Sequence, residues 1–430
     1  MSATGWNLVL YAIAGDDAEL ARATAAVHAM HGALTTKKCN IGVQLHARSR
    51  TTRYWLSAGH KLKPESLGVV DASDPDSLTR FLDAGNGQFP DRANALVLWA
   101  HSTGLDHVHN YARKAASRGA GPESGPGDHA GHGLGGMAVE SIDELGRAGI
   151  PPLVYPLMPG PLMPGPLMPG PLMPGPRTLP PRYGCGWGPD PNTKHFLTNI
   201  GMKKAILRSR RGRVEILGLN ACWMASLEVE YELRRVSDVQ IACQVDALPW
   251  PYGTIVAAIA EAPEQTTEQL AIAIVDSVRT EIHTHHRTDA LSALMSGPAL
   301  DELATAFQAY ARRVTELIDS DWKAVSKAVM EEAQRVDDPY LVDLMSLIHV
   351  LGHNDVKART EANVVAHRFR SMCLANAAST GHPHVRGLSV FCPRDTKVDL
   401  AGAYKGTEFR SHSWGHFLLK FQHRLGRAAS

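Results

Sequence analysis

The sequence predicts an α/β protein built around a mainly parallel sheet. Short, continuously apolar runs recur along the chain, and most are followed by a stretch with helical periodicity. Continuous apolar runs are typical of parallel strands that are buried on both faces, whereas alternating runs are typical of antiparallel sheets with one wet face. A proline-rich segment that suits neither a helix nor a strand predicts an insertion within this architecture.

Six apolar runs are predicted to be strands. They are residues 8–14, 41–46, 95–101, 214–219, 239–245 and 388–392. Between the first two runs, Leu20, Val27 and Met30 fall near one face of a predicted helix. The segment DPDSLTRFLDAG before the third run repeats this pattern. Crossover helices therefore fit both places, as parallel strands require.

The proline-rich insertion is predicted to span residues 105–200 of a single domain, residues 1–430. Four copies of the unit PLMPG lie at residues 156–176. Proline at two positions in five prevents both helix and sheet hydrogen bonding, so this piece is predicted to be an exposed, polyproline-like loop. It can be a protease-accessible or partner-binding loop, or a repeat expansion in a place where length is tolerated.

A helical addition is predicted over residues 262–376, before the last strand. Thr266 and Gln269 have the spacing of a capping box at its start. Apolar residues then recur at steps of three and four, at Leu270, Ile274, Val278 and Ile282, at Leu300, Leu303, Phe307, Tyr310, Val314 and Leu317, and at Leu341, Leu344, Ile348 and Leu351. These stripes indicate amphipathic helices, without intervening strands, that pack on the sheet.

Charge and composition exclude several classes of partner. The 44 lysines and arginines nearly balance the 43 aspartates and glutamates, so a net charge of +1 provides no field that would attract nucleic acid or an anionic membrane. The start of the chain has no basic segment of a signal peptide, and no stretch approaches the roughly 20 apolar residues of a membrane span. We therefore expect a cytoplasmic protein.

Neither a disulfide framework nor a metal site is expected. The six cysteines, Cys39, Cys185, Cys222, Cys243, Cys373 and Cys392, show no CxxC spacing. Two groups of histidines, at 101, 107 and 109 and at 283, 285 and 286, lack clear metal-ligand spacing. No Gly-rich phosphate loop follows the first strand and no GxSxG is present, which argues against nucleotide-dependent enzymes and serine hydrolases.

Cys222 and His101 are the candidate catalytic residues. Cys222 ends the run VEILGLNA and precedes a segment with helical periodicity, so we expect the thiol near a helix N-terminus, where a thiolate is favoured. His101 ends the run ALVLWA in the same manner, and the carboxyl ends of parallel strands face one crevice. Either residue alone is more often structural, since buried cysteines are usually inert and strand-end histidines usually only hydrogen-bonded.

The blocks of the sequence resemble, in order, those of the clostripain-like cysteine peptidases, which are relatives of caspases and gingipains. The matching blocks are NLVLYAIAGDDAEL, TTRYWL, DPDSLTRFL, ALVLWAHSTG, LGLNACWMASLEVEYEL, DALPWPYGTIVAAI, DDPYLVDLMSLI, GLSVFCP and SHSWGHFLLKF. The resemblance implies a caspase-like three-layer α/β sandwich and an endopeptidase that acts on a protein or peptide substrate through Cys222 and His101.

The resemblance also implies how the two residues would act. The Cys222 thiolate would attack the scissile carbonyl and His101 would protonate the leaving amine. Backbone N–H groups of Cys222 and Ser102 would hold the oxyanion, although the family usually has glycine at the position of Ser102. No cofactor is expected, and calcium dependence is suggested by the resemblance alone.

Specificity and activation are two further implications of the resemblance. Family members typically cleave after arginine or lysine, with an acidic residue two positions before the cysteine and a second at the end of the next strand. This sequence has Asn220 at the first position and Asp246 near the second, so a basic P1 is expected, with a small or neutral P1 as the alternative. Self-cleavage in the insertion is a further expectation; the candidate sites are Arg113, Lys114, Arg118, Arg177 and Arg182.

Two other functions are compatible with the sequence. A non-catalytic caspase-like module could bind a regulatory protein partner through the PLMPG repeats, which suit an aromatic-lined groove. Alternatively, an amine could intercept the thioester, giving a ligase or transpeptidase. Retention of both Cys222 and His101 favours the peptidase.

Overall fold

Strands and helices alternate along most of the chain that the computed structural model describes, residues 5–90, 92–102, 187–193, 195–396, 398–404 and 407–429. The strands are β1 (Trp6–Ile13), β2 (Cys39–His46), β3 (Thr51–Ser57), β4 (Pro64–Ser66), β5 (Ala93–Trp99), β6 (Trp187–Pro189), β7 (Phe196–Leu197), β8 (Val214–Asn220), β9 (Ser237–Cys243), β10 (Ala290–Met295), β11 (Leu341–Asp343), β12 (Cys373–Ala378) and β13 (Ser389–Phe391). These residues all belong to one compact unit.

Helices occupy most of the remaining described residues. They are α1 (Asp17–Ala33), α2 (Pro75–Gln88), α3 (Asn199–Arg208), α4 (Leu227–Leu233), α5 (Tyr252–Glu261), α6 (Thr267–His285), α7 (Pro298–Ser320), α8 (Trp322–Lys327), α9 (Leu344–Val350), α10 (Val356–Met372), α11 (Leu400–Ala403) and α12 (Ser413–Ala429). A π-helical turn (Ala328–Glu332) follows α8, and a 3-10 turn (Glu408–Ser411) precedes α12. None of the helices in the described ranges is long and apolar enough to cross a bilayer.

A nine-stranded sheet, with the order β12-β10-β9-β8-β5-β1-β2-β3-β4, forms the centre of the described structure. Its five middle strands, β9, β8, β5, β1 and β2, are parallel. The strands added at either edge are antiparallel. Strands β1 and β2 are buried along their whole length, as the continuous apolar runs predict.

Helices cover both faces of the sheet because successive side chains of a strand point to opposite sides. Leu8 and Leu10 of β1 pack with α1, α5 and α6 on one face. Val9 and Tyr11 pack with α2, α3 and α4 on the other face. The predicted α/β class, with helices on both faces of a mainly parallel sheet, is confirmed.

Several predicted helices are confirmed in position, and one of them also in its predicted capping. The Asp16 side chain accepts the Glu19 N–H at the start of α1. Thr266 and Gln269 form the predicted capping box of α6. The apolar stripe of α7 is buried against α10 and α12, where it forms a second core beside the sheet.

Strands interrupt the region that was predicted to be a helical addition, residues 262–376. Strand β10 lies between α6 and α7, and β12 begins at the end of that region. A six-residue apolar run such as β10 cannot be distinguished from a short helical segment by periodicity alone, which explains the error. Leu341, assigned to a helical stripe, lies in β11 instead.

The last predicted strand also lies elsewhere than expected. Residues 389–391 form β13, which pairs antiparallel with β11 in a separate two-stranded sheet. An apolar run predicts a buried strand but not its neighbours, because pairing is a long-range property.

Only the end of the predicted insertion, residues 105–200, lies within the described residues. Strands β6 and β7 pair antiparallel there, and Trp187 and Leu197 are fully buried. The packed core therefore begins before the predicted end of the insertion. The PLMPG repeats lie outside the described residues.

Candidate active site

Two neighbouring strand ends bring His101 and Cys222 to the same edge of the sheet. Strands β5 and β8 are parallel, with Trp99 paired to Asn220, and the Ala100 N–H donates to the Asn220 carbonyl at 3.3 Å. His101 and Cys222 each lie two residues beyond this pair. The register therefore places both residues at the carboxyl edge, where α/β proteins bind ligands.

The chain around Cys222 forms a loop before it forms a helix. The Trp223 N–H donates to the Val245 carbonyl at 3.2 Å, and the Ala225 N–H donates to the Cys243 carbonyl at 2.9 Å. Helix α4 begins only at Leu227. The expectation that Cys222 lies at a helix N-terminus is therefore wrong, because this segment first pairs with the end of β9.

The backbone of Trp223, the residue that follows Cys222, has a strained conformation. Its φ of 57° lies in the left-handed region, which a bulky residue rarely adopts. Such strain persists only where surrounding contacts fix it, and it is frequent at active sites. Here the hydrogen bond from the Trp223 N–H to Val245 fixes the turn.

The Cys222 thiol is largely shielded from water, and its environment favours the neutral form. Burial raises its pKa to about 11, although the Ala247 N–H, which donates to Sγ at 3.3 Å, offsets part of this effect. The nearby carboxylates of Asp246 and Asp337 raise the pKa further. The pKa therefore moves opposite to the sequence-based expectation, and the thiol needs a base to become a nucleophile.

His101 is exposed at the rim of the site and contacts a carboxylate. Its Nε2 lies 2.6 Å from Oε1 of Glu19, in the first turn of α1; the two side chains are 57% and 15% exposed. The other carboxylate oxygen, Oε2, accepts the Gly15 N–H at 2.7 Å. Burial alone would raise the pKa of Glu19, but the hydrogen bond and charge of His101, with the Gly15 N–H, outweigh it and lower this pKa.

Sequence analysis missed Glu19 as a site residue. Asp16 and Glu19 have a spacing that marks a helix start, and Glu19 lies in the block NLVLYAIAGDDAEL, but neither signal links it to His101. Nothing in either signal indicates that α1 begins beside His101, 82 residues later in the chain.

Ser102 joins the histidine segment to the cysteine segment. It is buried and forms an isolated antiparallel bridge with Trp187, while the Gly188 N–H donates to the His101 carbonyl at 2.7 Å. The Ser102 hydroxyl lies 2.9 Å from Sδ of Met224. Strand β6 therefore holds the main chain that follows His101 against the loop that follows Cys222.

Asp246 is exposed beyond the end of β9, close to both candidate catalytic residues. Its carboxylate interacts electrostatically with both the Cys222 thiol and His101. Its N–H donates to Oδ2 of Asp337 at 3.3 Å. Burial and then the Asp337 charge raise the pKa of Asp246, whereas His382 and His101 lower it.

Asp337 and His382 are two further residues that sequence analysis missed. His382 Nδ1 lies 3.6 Å from Oδ1 of Asp337, so this carboxylate faces both His382 and Asp246. Asp337 belongs to the block DDPYLVDLMSLI, whose acidic start is a signal that analysis of the sequence alone left unused.

Asn220 is buried below the site rather than exposed in it. With both of its amide atoms satisfied, it donates to the Leu248 carbonyl at 3.0 Å and accepts from the Trp250 N–H at 3.0 Å and the Tyr252 hydroxyl at 2.9 Å. Its amide therefore braces the segment that follows Asp246.

The predicted self-cleavage sites, at residues 113, 114, 118, 177 and 182, lie outside the described residues, as do His107 and His109. Within the described ranges, no group of three or more histidine, cysteine, aspartate or glutamate side chains could hold a metal ion.

Comparisons with known proteins identify the family. The model of the clostripain family matches residues 184–406, a range that includes Cys222 and Asp246 but not His101. No curated protein matches the sequence significantly.

Solved structures share the fold. An inactive zymogen C11 protease from Parabacteroides distasonis is similar with a TM-score of 0.59 and 15% identity, over 97% of this chain and 99% of that chain. A secreted C11 cysteine protease from Bacteroides thetaiotaomicron, in complex with an irreversible peptide inhibitor, is similar with a TM-score of 0.60 and 14% identity, over 95% and 99%. Since the family match covers more than half of the chain, this chain belongs to the clostripain family and is a cysteine-type peptidase.

Proposed function

We propose that the protein is an endopeptidase that uses Cys222 and His101 as a dyad. The observation that carries this proposal is the register of β5 and β8, from which both residues extend at equivalent positions. The electrostatic interaction of Asp246 with both residues further supports their proximity.

The dyad would work by acyl transfer. His101 takes the proton of the Cys222 thiol, and the thiolate attacks the carbonyl carbon of the scissile bond. The tetrahedral intermediate collapses as His101 gives its proton to the leaving amine, which leaves a thioester. Water, deprotonated by His101, then cleaves the thioester, and the proton returns to the thiolate. Because burial raises the pKa of Cys222 to about 11, proton removal by His101 is an essential part of the barrier.

The oxyanion would be held by the N–H groups of Cys222 and Ser102. The bridge of Ser102 to Trp187 and the contact of its hydroxyl with Met224 support this role, because they fix the main chain beside the nucleophile. A buried, fixed N–H stabilises developing negative charge better than one that must reorganise.

A basic P1 residue is favoured by the acids at this edge. Asp246 is exposed beside the thiol, and Asp337 lies next to it through the Asp246 N–H. Two neighbouring carboxylates repel each other, which an arginine or lysine side chain would relieve while gaining charge-assisted hydrogen bonds. We propose that Asp246 contacts the P1 cation and that Asn220 acts indirectly, by bracing the adjoining segment.

Self-cleavage in residues 105–200 is proposed as the route of activation, after one of the basic residues predicted from the sequence. Purified Cys222→Ala protein would then remain a single chain, whereas the unaltered protein would be cut at Arg113, Lys114, Arg118, Arg177 or Arg182. Intact-mass measurement distinguishes the two. An intact unaltered chain that turns over a peptide would contradict the proposal.

A P1-positional library of fluorogenic peptides tests the function. The full chain, Cys222→Ala and His101→Ala are compared, each with added calcium and with a chelator. We expect turnover after arginine or lysine that both substitutions reduce at least a thousandfold, as for other nucleophile and base pairs. Unchanged turnover by His101→Ala would contradict the proposal that His101 and Cys222 act as a dyad. A preference for a neutral P1 residue would contradict the proposed contact of Asp246 with the P1 side chain.

A further inference from the structure

We infer that Glu19 is a positioning residue for His101, so that the site works as a Glu19–His101–Cys222 triad rather than as a dyad alone. The inference rests on the proposed function, since it assigns Glu19 a role only through His101. Glu19 would touch neither substrate nor the reacting atoms.

The geometry of the contact is specific. Oε1 of Glu19 lies 2.6 Å from His101 Nε2, which makes this a short, charge-assisted hydrogen bond. Oε2 is fixed separately by the Gly15 N–H at 2.7 Å. The backbone of Glu19 is held in turn, because its N–H donates to the Asp16 side chain at 2.9 Å. The carboxylate is therefore immobilised by its own helix before it contacts the imidazole.

The contact sets the tautomer of His101. An ionised carboxylate can only accept, so Nε2 carries the proton and Nδ1 is the nitrogen that exchanges a proton with Cys222. Glu19 is 15% exposed, and its lowered pKa keeps it ionised at neutral pH. Its charge stabilises the imidazolium that forms when His101 accepts the thiol proton.

The charge matters here because the environment of Cys222 disfavours the thiolate, which the Ala247 N–H offsets only in part. Partial burial of the thiol and the Asp246 and Asp337 carboxylates raise the pKa of Cys222. Asp246 interacts with His101 as well, and Asp16 lies near Glu19. Glu19 contacts the imidazole directly, at its Nε2. A fixed carboxylate beside Nε2 lowers the barrier to proton transfer from Cys222 to His101, because the protein need not reorganise during the reaction.

The competing explanation is that Glu19 only stabilises the start of α1. The two roles use different oxygens and respond differently to substitution. Glu19→Gln keeps an oxygen for the Gly15 N–H but removes the charge beside His101, whereas Glu19→Asp keeps the charge on a shorter side chain. Glu264→Gln is the matched control, because the Glu264 carboxylate also pairs with a cation, Lys38, at 2.5 Å.

The experiment measures kcat and KM of the full chain between pH 5 and 9 on the best peptide of the library. Glu19→Gln is expected to lower kcat about a hundredfold with little change in KM, the order expected for impaired general acid-base catalysis. Its pH profile should also be displaced. Glu19→Asp should recover part of the rate, and Glu264→Gln should behave like the unaltered protein.

A second measurement does not depend on substrate recognition. The rate of Cys222 alkylation by iodoacetamide, followed by mass spectrometry of the Cys222 peptide, reports formation of the thiolate. At pH 7, Glu19→Gln should slow alkylation about tenfold. Thermal unfolding of each variant shows whether α1 is still intact.

The outcomes separate this inference from the proposed function. If His101→Ala abolishes turnover while Glu19→Gln keeps the unaltered rate and pH profile, the role of Glu19 is overturned and the dyad stands. If Glu19→Gln loses rate, has a lower melting temperature and keeps the pH profile of the unaltered protein, Glu19 only stabilises the start of α1. That result would also overturn the role of Glu19 in positioning His101. If His101→Ala stays active, both proposals fail.

Discussion

Glu19 at the active-site edge and two glutamates of helix α4, Glu228 and Glu230, have opposite environments. Glu19 contacts His101 at the rim, and its pKa is lowered. Glu228 and Glu230 of α4 are 1% and 0% exposed, and burial raises their pKa values to about 7 and about 8. The charged form of the same residue type is therefore favoured beside His101 and disfavoured by burial at Glu228 and Glu230.

The glutamates of α4 also differ among themselves. Glu228 accepts the Phe391 N–H at 3.1 Å and the Tyr404 hydroxyl at 3.2 Å, so it joins α4 to the C-terminal part of the chain. Glu232 pairs with Lys203 at 2.9 Å. Neither carboxylate oxygen of Glu230 has a hydrogen-bond partner within the described structure. A buried carboxylate without partners costs stability rather than adding it, and substitutions can measure this contrast.

Glu230→Gln is expected to have the largest effect. The pKa of Glu230 is about 8 in the folded protein and ordinary, near 4.5, when unfolded, so the folded state binds the extra proton and stability is lost as pH rises from about 4.5 to about 8. Replacement by the neutral amide removes this loss. The free energy of unfolding of the variant should match that of the unaltered protein near pH 4.5 and exceed it by about 4 kcal/mol at pH 9.

Urea unfolding across this pH range tests the prediction, with Glu230→Gln expected to keep normal peptidase activity. An equal pH dependence of the two proteins would show that Glu230 is ionised and partnered in the folded state.

At the active-site edge, Asp246→Asn is expected to change activity and not stability. Loss of the carboxylate should lower kcat/KM for a peptide with arginine at P1 about a hundredfold, because the P1 guanidinium loses its charge-assisted hydrogen bond to Asp246. A peptide with a neutral P1 should be affected far less. Asp337→Asn, which leaves Asp246 in place, serves as the comparison. Equal losses for basic and neutral P1 peptides would assign Asp246 to the thiol instead of the P1 side chain.

Glu232→Gln is expected to destabilise the protein by about 2 kcal/mol, because a buried ion pair that loses one partner leaves the other charge poorly compensated. Among the described residues Lys203 then keeps its ion pair with Glu408, whose side chain is 34% exposed. A double-mutant cycle with Lys203→Met, measured by urea unfolding, should recover most of the loss. Additive effects would mean that Glu232 and Lys203 do not stabilise each other.

Glu264→Gln is expected to have the smallest effect. The Glu264 and Lys38 side chains are both mostly exposed, so their pairing competes with water and salt. We expect no detectable change in the urea midpoint or in kcat/KM. A clear loss of stability would show that pairing at the surface matters as much as burial, and would weaken the contrast between the two regions.

The local features of this protein are determined by its sequence. Continuous apolar runs predict the five parallel strands, and capping residues such as Asp16 and Thr266 mark where helices begin. The rule that ligands bind at the carboxyl edge of parallel strands makes His101 and Cys222 candidates, and the family resemblance selects them. These inferences depend on short stretches of chain, in which periodicity and capping act directly.

Only the tertiary structure decides the rest. The contact of Glu19 with His101, the position of Asp337 beside Asp246 and the pairing of β13 with β11 join segments that are far apart in sequence. The raised pKa of Cys222 likewise depends on what covers the thiol. Charge, burial and strand partners are set by long-range packing, whereas periodicity reports only the face that each segment buries.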